Sequence, residues 1–167
     1  KLHRYIDTPA AKKRIKVSLE SLYSQFIDDG LMEIRYYDEP LSTFSYEFLT
    51  DNEGEIYKKD FEIEVNGKKA KGFVGIFKTG YTDRAGFTIY RNRRLILGYP
   101  ENSFRPKEVF GSEGGSNSLI NQRLFGSIEM KEFQVSFSKN GIVWSGDEES
   151  EFRKQLQEIC APFKIAA

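Results

Sequence analysis

The stretch that most constrains this chain is "EIYKKDFEIEVNGKKAKGFVGIFKTG", residues 55–80. Phe61, Ile63 and Val65 alternate with acids, a period of two that puts one apolar face on a strand. Asn66-Gly67 follows, the dipeptide that supplies positive φ at both centres of a tight hairpin turn. Phe73, Gly75 and Phe77 return on the other side. A hairpin this strongly patterned must find a second layer to cover its apolar face. Its surroundings supply one.

A second hairpin is predicted just downstream, "AGFTIY" and "RRLILG" around Arg91-Asn92-Arg93. A third strand pair is read in "RLFGSIEM" and "QVSFSKNGIVW". "LMEIRYY", Leu31–Tyr37, reads as a further strand turned by Asp38–Pro40. Helices are expected at both ends. Thr8-Pro9 is an N-cap with proline in the first turn. Ile15, Leu19, Leu22, Tyr23 and Phe26 fall on one helical face, and Gly30 marks a stop, so the spacing predicts a helix over 9–28. "DEESEFRKQLQEI" places its acids in a first turn, where the helix dipole favours them, and Phe152, Leu156 and Ile159 on its inner face. The layout is α+β: a 1–28 helical segment, a mostly antiparallel sheet region over 29–145, and a C-terminal helix over 146–163. At 167 residues one domain is expected.

Composition narrows the function classes. Aromatic residues make up 14% of the chain, enough bulk for a substantial core. The 25 basic residues cancel the 25 acidic ones, which argues against a protein that mainly coats nucleic acid or an anionic membrane. No apolar run approaches the length of a membrane span and no signal peptide is evident. The only cysteine is Cys160 and the only histidine His3. An internal disulfide cannot form, and a zinc site of the Cys/His kind is out of reach, so no metal site is expected. This pattern suits a reducing, cytoplasmic setting. His3 is too close to the terminus to be anchored as a general base, so Ser–His–Asp and Cys–His nucleophiles are not expected. Trp144 reads as core. The acid pairs Asp28-Asp29, Asp38-Glu39 and Glu148-Glu149 sit at caps and turns.

Three features could do more than fold. "GSEGGSNS" is rich in glycine but lacks the Lys-Ser/Thr of a phosphate-binding loop, and reads as a mobile surface loop. It ends a stretch from Tyr99 to Ser118 that is long for a compact domain. Arg91, Arg93 and Arg94, with Lys107, could track a phosphate backbone, although a solvated hairpin tip explains them as well. Asn121-Gln122-Arg123 marks the passage from that loop into the next strand, where a cation would be both anchored and presented.

"GFVGIFKTGYTDRAGFTIYRNRRLI", "FRPKEVFG", "NQRLFGSIEM", "FQVSFSKNGIVW" and the closing acidic helix occur in this order. The series resembles the segment downstream of the ATPase domain in GHKL proteins. The nearest resemblance is to bacterial Hsp-ninety-like ATP-binding proteins, with a looser one to the MORC ATPases. It rests on Gly72 to Ile76, Ala85 to Ile96, Arg105 to Gly111 and Gln122 to Gly126, and covers roughly residues 10–160. It implies a transducer domain, with a ribosomal-protein-S-five-second-domain-like sheet backed by helices. It also implies a piece of a longer protein, with ATP and Mg held on an ATPase domain upstream. No cofactor is then expected within the chain, which alone would not be an enzyme. By the same resemblance, one side chain reaches back towards the γ-phosphate: Arg123, or the uncharged Gln122 beside it, with Lys78 and Arg84 in reserve. The competing reading is that Gln122 and Arg123 pair with acids or backbone and pin the strand. The implied partners are the upstream domain, a homodimer mate, and a DNA or protein client. The alternative is a nucleic-acid or protein-binding module with no ATPase coupling.

Overall fold

A computed structural model describes residues 8–111 and 118–166. Thr8 caps the first helix, its hydroxyl accepting from the Ala11 N–H at 3.2 Å, and Pro9 opens it. This helix, α1 (Pro9–Leu22), is followed at once by α2 (Ser24–Asp28). The continuous 9–28 helix is therefore broken at Tyr23, whose ψ of 12° ends the α conformation. Gly30, at φ +66°, turns the chain out of α2 as expected.

The region 31–37 corrects the sequence reading. Only Arg35–Tyr36 (β1) is extended and paired, to Glu39–Pro40 (β2), around a turn in which Tyr37 and Asp38 both have positive φ. Leu31 and Met32 are 64% and 40% exposed, so the apolar start of "LMEIRYY" has no sheet to join.

The strong hairpin forms as patterned. β3 (Lys58–Val65) pairs antiparallel with β4 (Lys68–Ile76) through Asn66 and Gly67, at φ +52° and +75°. The second hairpin, β5 (Gly86–Arg91) and β6 (Arg94–Leu97), turns through Asn92 and Arg93 at φ +50° and +63°. The long loop then contains a short helix, α3 (Lys107–Phe110). Residues 112–117, the centre of "GSEGGSNS", lie outside the described residues, as does His3. Asn121-Gln122-Arg123 is not loop: it forms the end of a helical turn, α4 (Leu119–Arg123), capped by the Ser118 hydroxyl.

The third strand pair is also corrected. β7 (Leu124–Glu129) leaves "QVSFSKNGIVW" and enters the middle of the main sheet. There it runs antiparallel to β4 and parallel to β5, giving the order β3-β4-β7-β5-β6. The remaining segment forms its own small hairpin, β8 (Gln134–Val135) and β9 (Ile142–Val143). The last helix, α5, spans Glu148–Ala166. The architecture is α+β, a mostly antiparallel five-stranded sheet with helices at both ends.

The sheet has two unlike faces. On the inner face Ile63, Val74, Ile76, Phe87, Ile89, Leu124 and Ile128 are buried against Phe152, Leu156 and Cys160 of α5. Trp144 closes one end, its ring 5.4 Å from that of Phe152. Lys68 pairs with the covered carboxylate of Glu148, fastening α5 to the first hairpin. The outer face carries the alternate residues, among them Phe73, Phe77 and Phe125. The Phe77 and Phe125 rings stack at 3.7 Å, and Tyr46 and Phe48 of the incoming segment close over Phe125, each at 5.2 Å. No described helix is long and apolar enough to cross a membrane.

Candidate functional site

Two places on the outer face concentrate polar groups, and the loop 77–85 links them. Arg123, at the end of α4, folds onto the start of this loop. Its Nε donates to the Phe77 carbonyl at 2.9 Å and its Nη2 to the Lys78 carbonyl at 3.2 Å. The backbone repeats the tie: Phe77 N–H donates to the Arg123 carbonyl at 2.9 Å, and Tyr81 N–H to the Gln122 carbonyl at 2.8 Å. Arg105 does the same from the other end. Its Nε and Nη2 donate to the Ala85 carbonyl at 3.1 and 2.8 Å, and Nη2 also reaches the Thr82 carbonyl. Burial lowers the Arg105 pKa, with Asp83 pulling it back up. Two arginines from separate stretches thus frame one loop.

The loop presents Lys78 outward. Its side chain is 65% exposed and stands 3.8 Å from Glu47, an ion pair of little strength. Arg123 retains Nη1 without an acceptor among the described residues. So Arg123 and Lys78 are neighbours through a shared backbone. Arg84, at the far end of the loop, belongs to the second place.

That second place is a cleft of about 500 Å³ between α1–α2, the segment 42–46 and the outer sheet face. The Arg84 guanidinium lies between the rings of Phe44 and Tyr99, 4.0 and 3.9 Å from their centroids. Tyr90 bonds Ser24 of α2 at 2.8 Å, and burial pushes its phenol up to about 12 against the pull of that bond. Glu129 fixes the β5–β6 turn by accepting from the backbone N–H groups of Asn92 and Arg93 at 2.6 and 3.3 Å.

The basic residues of that turn do not act as one group. Arg93 folds back into the cleft and pairs with Asp29. Arg91 ends β5 two residues beyond inward Ile89, with a buried Nε that has no acceptor among the described residues. Arg94 is exposed, and Lys107 starts α3 elsewhere on the molecule. No group of three or more described Asp, Glu, His or Cys residues is arranged to hold a metal ion.

The sequence marked Arg105 only as part of a family-like stretch, with no role at a site, and passed over Phe44 and Tyr99. Among the described residues, Arg105 hydrogen-bonds only to backbone carbonyls and a serine hydroxyl, which leave no trace in composition. The Arg-Pro step before a short helix was the one available signal. No protein-family model matches this chain, and no curated protein matches it.

Proposed function

We propose that this chain is the transducer half of a GHKL-type ATPase. It would read the nucleotide state of an ATP-binding domain upstream and pass it to a partner or a dimer mate. The observation that carries this reading is the framing of the 77–85 loop. The stretches that resemble the family at Gly72–Ile76 and Ala85–Ile96 flank this loop in sequence, and those at Arg105–Gly111 and Gln122–Gly126 follow further along the chain. In the fold they meet around this loop, where Arg105 and Arg123 hold its two ends. The helix-backed sheet is compatible with a ribosomal-protein-S-five-second-domain-like transducer.

The donor set suits a phosphate group approaching from a neighbouring domain. Arg123 has Nη1 to offer, and Lys78 an ammonium with only a weak partner. ATP and its Mg would be held by the upstream domain, and a γ-phosphate there supplies the negative charge. Arg123 then divides its donors between that charge and the Phe77 and Lys78 carbonyls. Each carbonyl bond from a charged donor is worth ~1.5–3 kcal/mol. Two such bonds come to ~3–6 kcal/mol if both are given up, against the ~5.5 kcal/mol that swings a two-state equilibrium from one side to the other. Because Phe77 follows β4 directly, a change at Arg123 is delivered to a central strand.

The test is ATP turnover by the longer protein containing the ATP-binding domain, with ATP binding measured alongside. Arg123→Ala is expected to lower turnover ~10²-fold or more while binding persists. Lys78→Ala should give a smaller loss. Unchanged turnover in both would overturn the reading. A nucleic-acid or protein-binding module without ATPase coupling is the alternative. It draws on Arg91, Arg93, Arg94 and Lys107, and the Arg93–Asp29 pair weakens it.

A further inference from the structure

The cleft carries a second, independent inference. Its volume of about 500 Å³ lies within the range of small-molecule sites. One wall is aromatic, formed by Phe44, Tyr46, Phe73, Tyr90 and Tyr99. Within that wall Arg84 places its guanidinium carbon over two rings, 4.0 and 3.9 Å from the centroids of Phe44 and Tyr99. Its backbone N–H bonds the Tyr81 carbonyl at 3.0 Å, yet its side-chain N–H groups have no acceptor among the described residues. A guanidinium held against two rings has already lost much of its freedom. Its in-plane fork matches a carboxylate.

Charge decides what kind of carboxylate. The lining holds Arg84 and Arg93 against Glu20, Asp28, Asp29 and Glu129. Arg93 is neutralised by Asp29. Glu129 is occupied by two backbone N–H groups. Among the described residues, Asp28 accepts only from the Thr43 hydroxyl, and Glu20 only from the Ser42 N–H at 3.5 Å. A ligand with a single negative charge would meet Arg84 but also a surplus of carboxylates. A ligand with both signs of charge meets neither penalty. The Tyr46 hydroxyl reports the same polarity: burial raises its pKa, Arg84 lowers it and Asp28 raises it, so opposite charges act across one group.

We propose that this cleft binds a small zwitterion of the α-amino-acid class. Its carboxylate sits on the Arg84 fork, its ammonium faces Asp28 and Glu20, and its side chain lies on the ring wall. This assignment does not depend on the transducer reading.

The test is calorimetric titration of the chain with each of the twenty common amino acids. The amino acid that binds best is then compared with its N-acetyl derivative, which lacks the ammonium, and its amide, which lacks the carboxylate. Saturable binding of at least one free amino acid is expected, weakened roughly tenfold or more in each derivative. Arg84→Gln should abolish it. Ser127→Leu, which adds bulk to a residue lining the cleft, should abolish it too, with circular dichroism unchanged. Absence of saturable binding across all twenty would overturn the proposal. So would an N-acetyl derivative that binds as tightly as the free amino acid, since that describes a plain anion site. Binding that survives both substitutions would also overturn it, by placing the ligand elsewhere.

Discussion

Gly72 and Gly126 face each other's strands at the centre of the sheet, and alanine at either should separate β4 from β7. A Cβ built on Gly72 would lie 2.1 Å from the Ser127 carbonyl oxygen, and one on Gly126 would lie 2.2 Å from that of Phe73. Carbon and oxygen in contact across strands normally stand roughly 3.3 Å apart, so each methyl group intrudes by about 1 Å. The obstacle is backbone, which cannot rotate away. On Gly126 the ring of Phe87 adds contacts at 2.7 Å. Overpacking of this kind costs ~1–3 kcal/mol. Each ladder bond stretched by the separation adds ~0.5–1.5 kcal/mol. A loss of ~3–5 kcal/mol is expected for either substitution, a large part of the ~5–15 kcal/mol that holds a domain together. At ~2–4 °C per kcal/mol for a chain of this size, Tm should fall by ~10 °C. Urea and thermal denaturation followed by circular dichroism measure both. The double variant should lose less than the sum, because strands already parted by one methyl accommodate the second. Gly141 is the control: nothing lies within 4 Å of its Cβ position, and Gly141→Ala should be neutral or slightly stabilising. If Gly72→Ala and Gly126→Ala both fall within about 1 kcal/mol of the parent, the close approach of β4 and β7 is wrong.

Leu156→Ala removes a fully buried side chain from the α5 face and should cost ~2–5 kcal/mol in the same denaturation assay. Cys160 is buried and its thiol is pushed up to about 12 by that burial, so a thiol reagent at neutral pH should label it only as fast as the chain opens; rapid native labelling would contradict its placement. The Lys68 ammonium and the Ser145 N–H hold the Glu148 carboxyl below its ordinary pKa. Its folded pKa is depressed, so its stabilisation is present above the unfolded value of about 4.3 and is lost as pH falls through the folded one. Glu148→Gln should lower stability at neutral pH and flatten the acid limb of the stability curve; an unchanged acid limb would show that the pair does not contribute.

The parts of the fold legible in the sequence are those whose cause is local. Asn66-Gly67 and Arg91-Asn92-Arg93 announce hairpins because a positive φ at adjacent residues leaves the chain few alternatives. Thr8-Pro9 and the acids at 147–151 announce helix starts for the same reason. What escaped is set by distant partners. β7 looks like half of a hairpin with the next segment, yet its neighbours are β4 and β5, and no feature of "RLFGSIEM" names them. Leu31–Tyr37 has strand-like composition, but sheet needs an edge to join and none is offered there. The five-residue α4 is too short to show a helical period, so Arg123 was read as strand-leading when it closes a turn. The site shows the same division. Arg123 drew attention at the Asn121-Gln122-Arg123 junction, and Lys78 and Arg84 only through the family resemblance. Arg105 and the rings around Arg84 did not, because their importance lies in which carbonyls and which guanidinium they touch.

The coupling proposal is tested most directly by hydrogen exchange across residues 77–85 in a protein that joins this chain to the proposed upstream ATP-binding domain, with a non-hydrolysable triphosphate and then with the diphosphate. The amides of Phe77 and Tyr81 donate to the carbonyls of Arg123 and Gln122, so they report on the contact between α4 and the loop. Coupling predicts that their protection differs between the two nucleotides, and that Arg123→Ala removes the difference while both nucleotides still bind. Identical protection in the two states, with nucleotide bound, would contradict it.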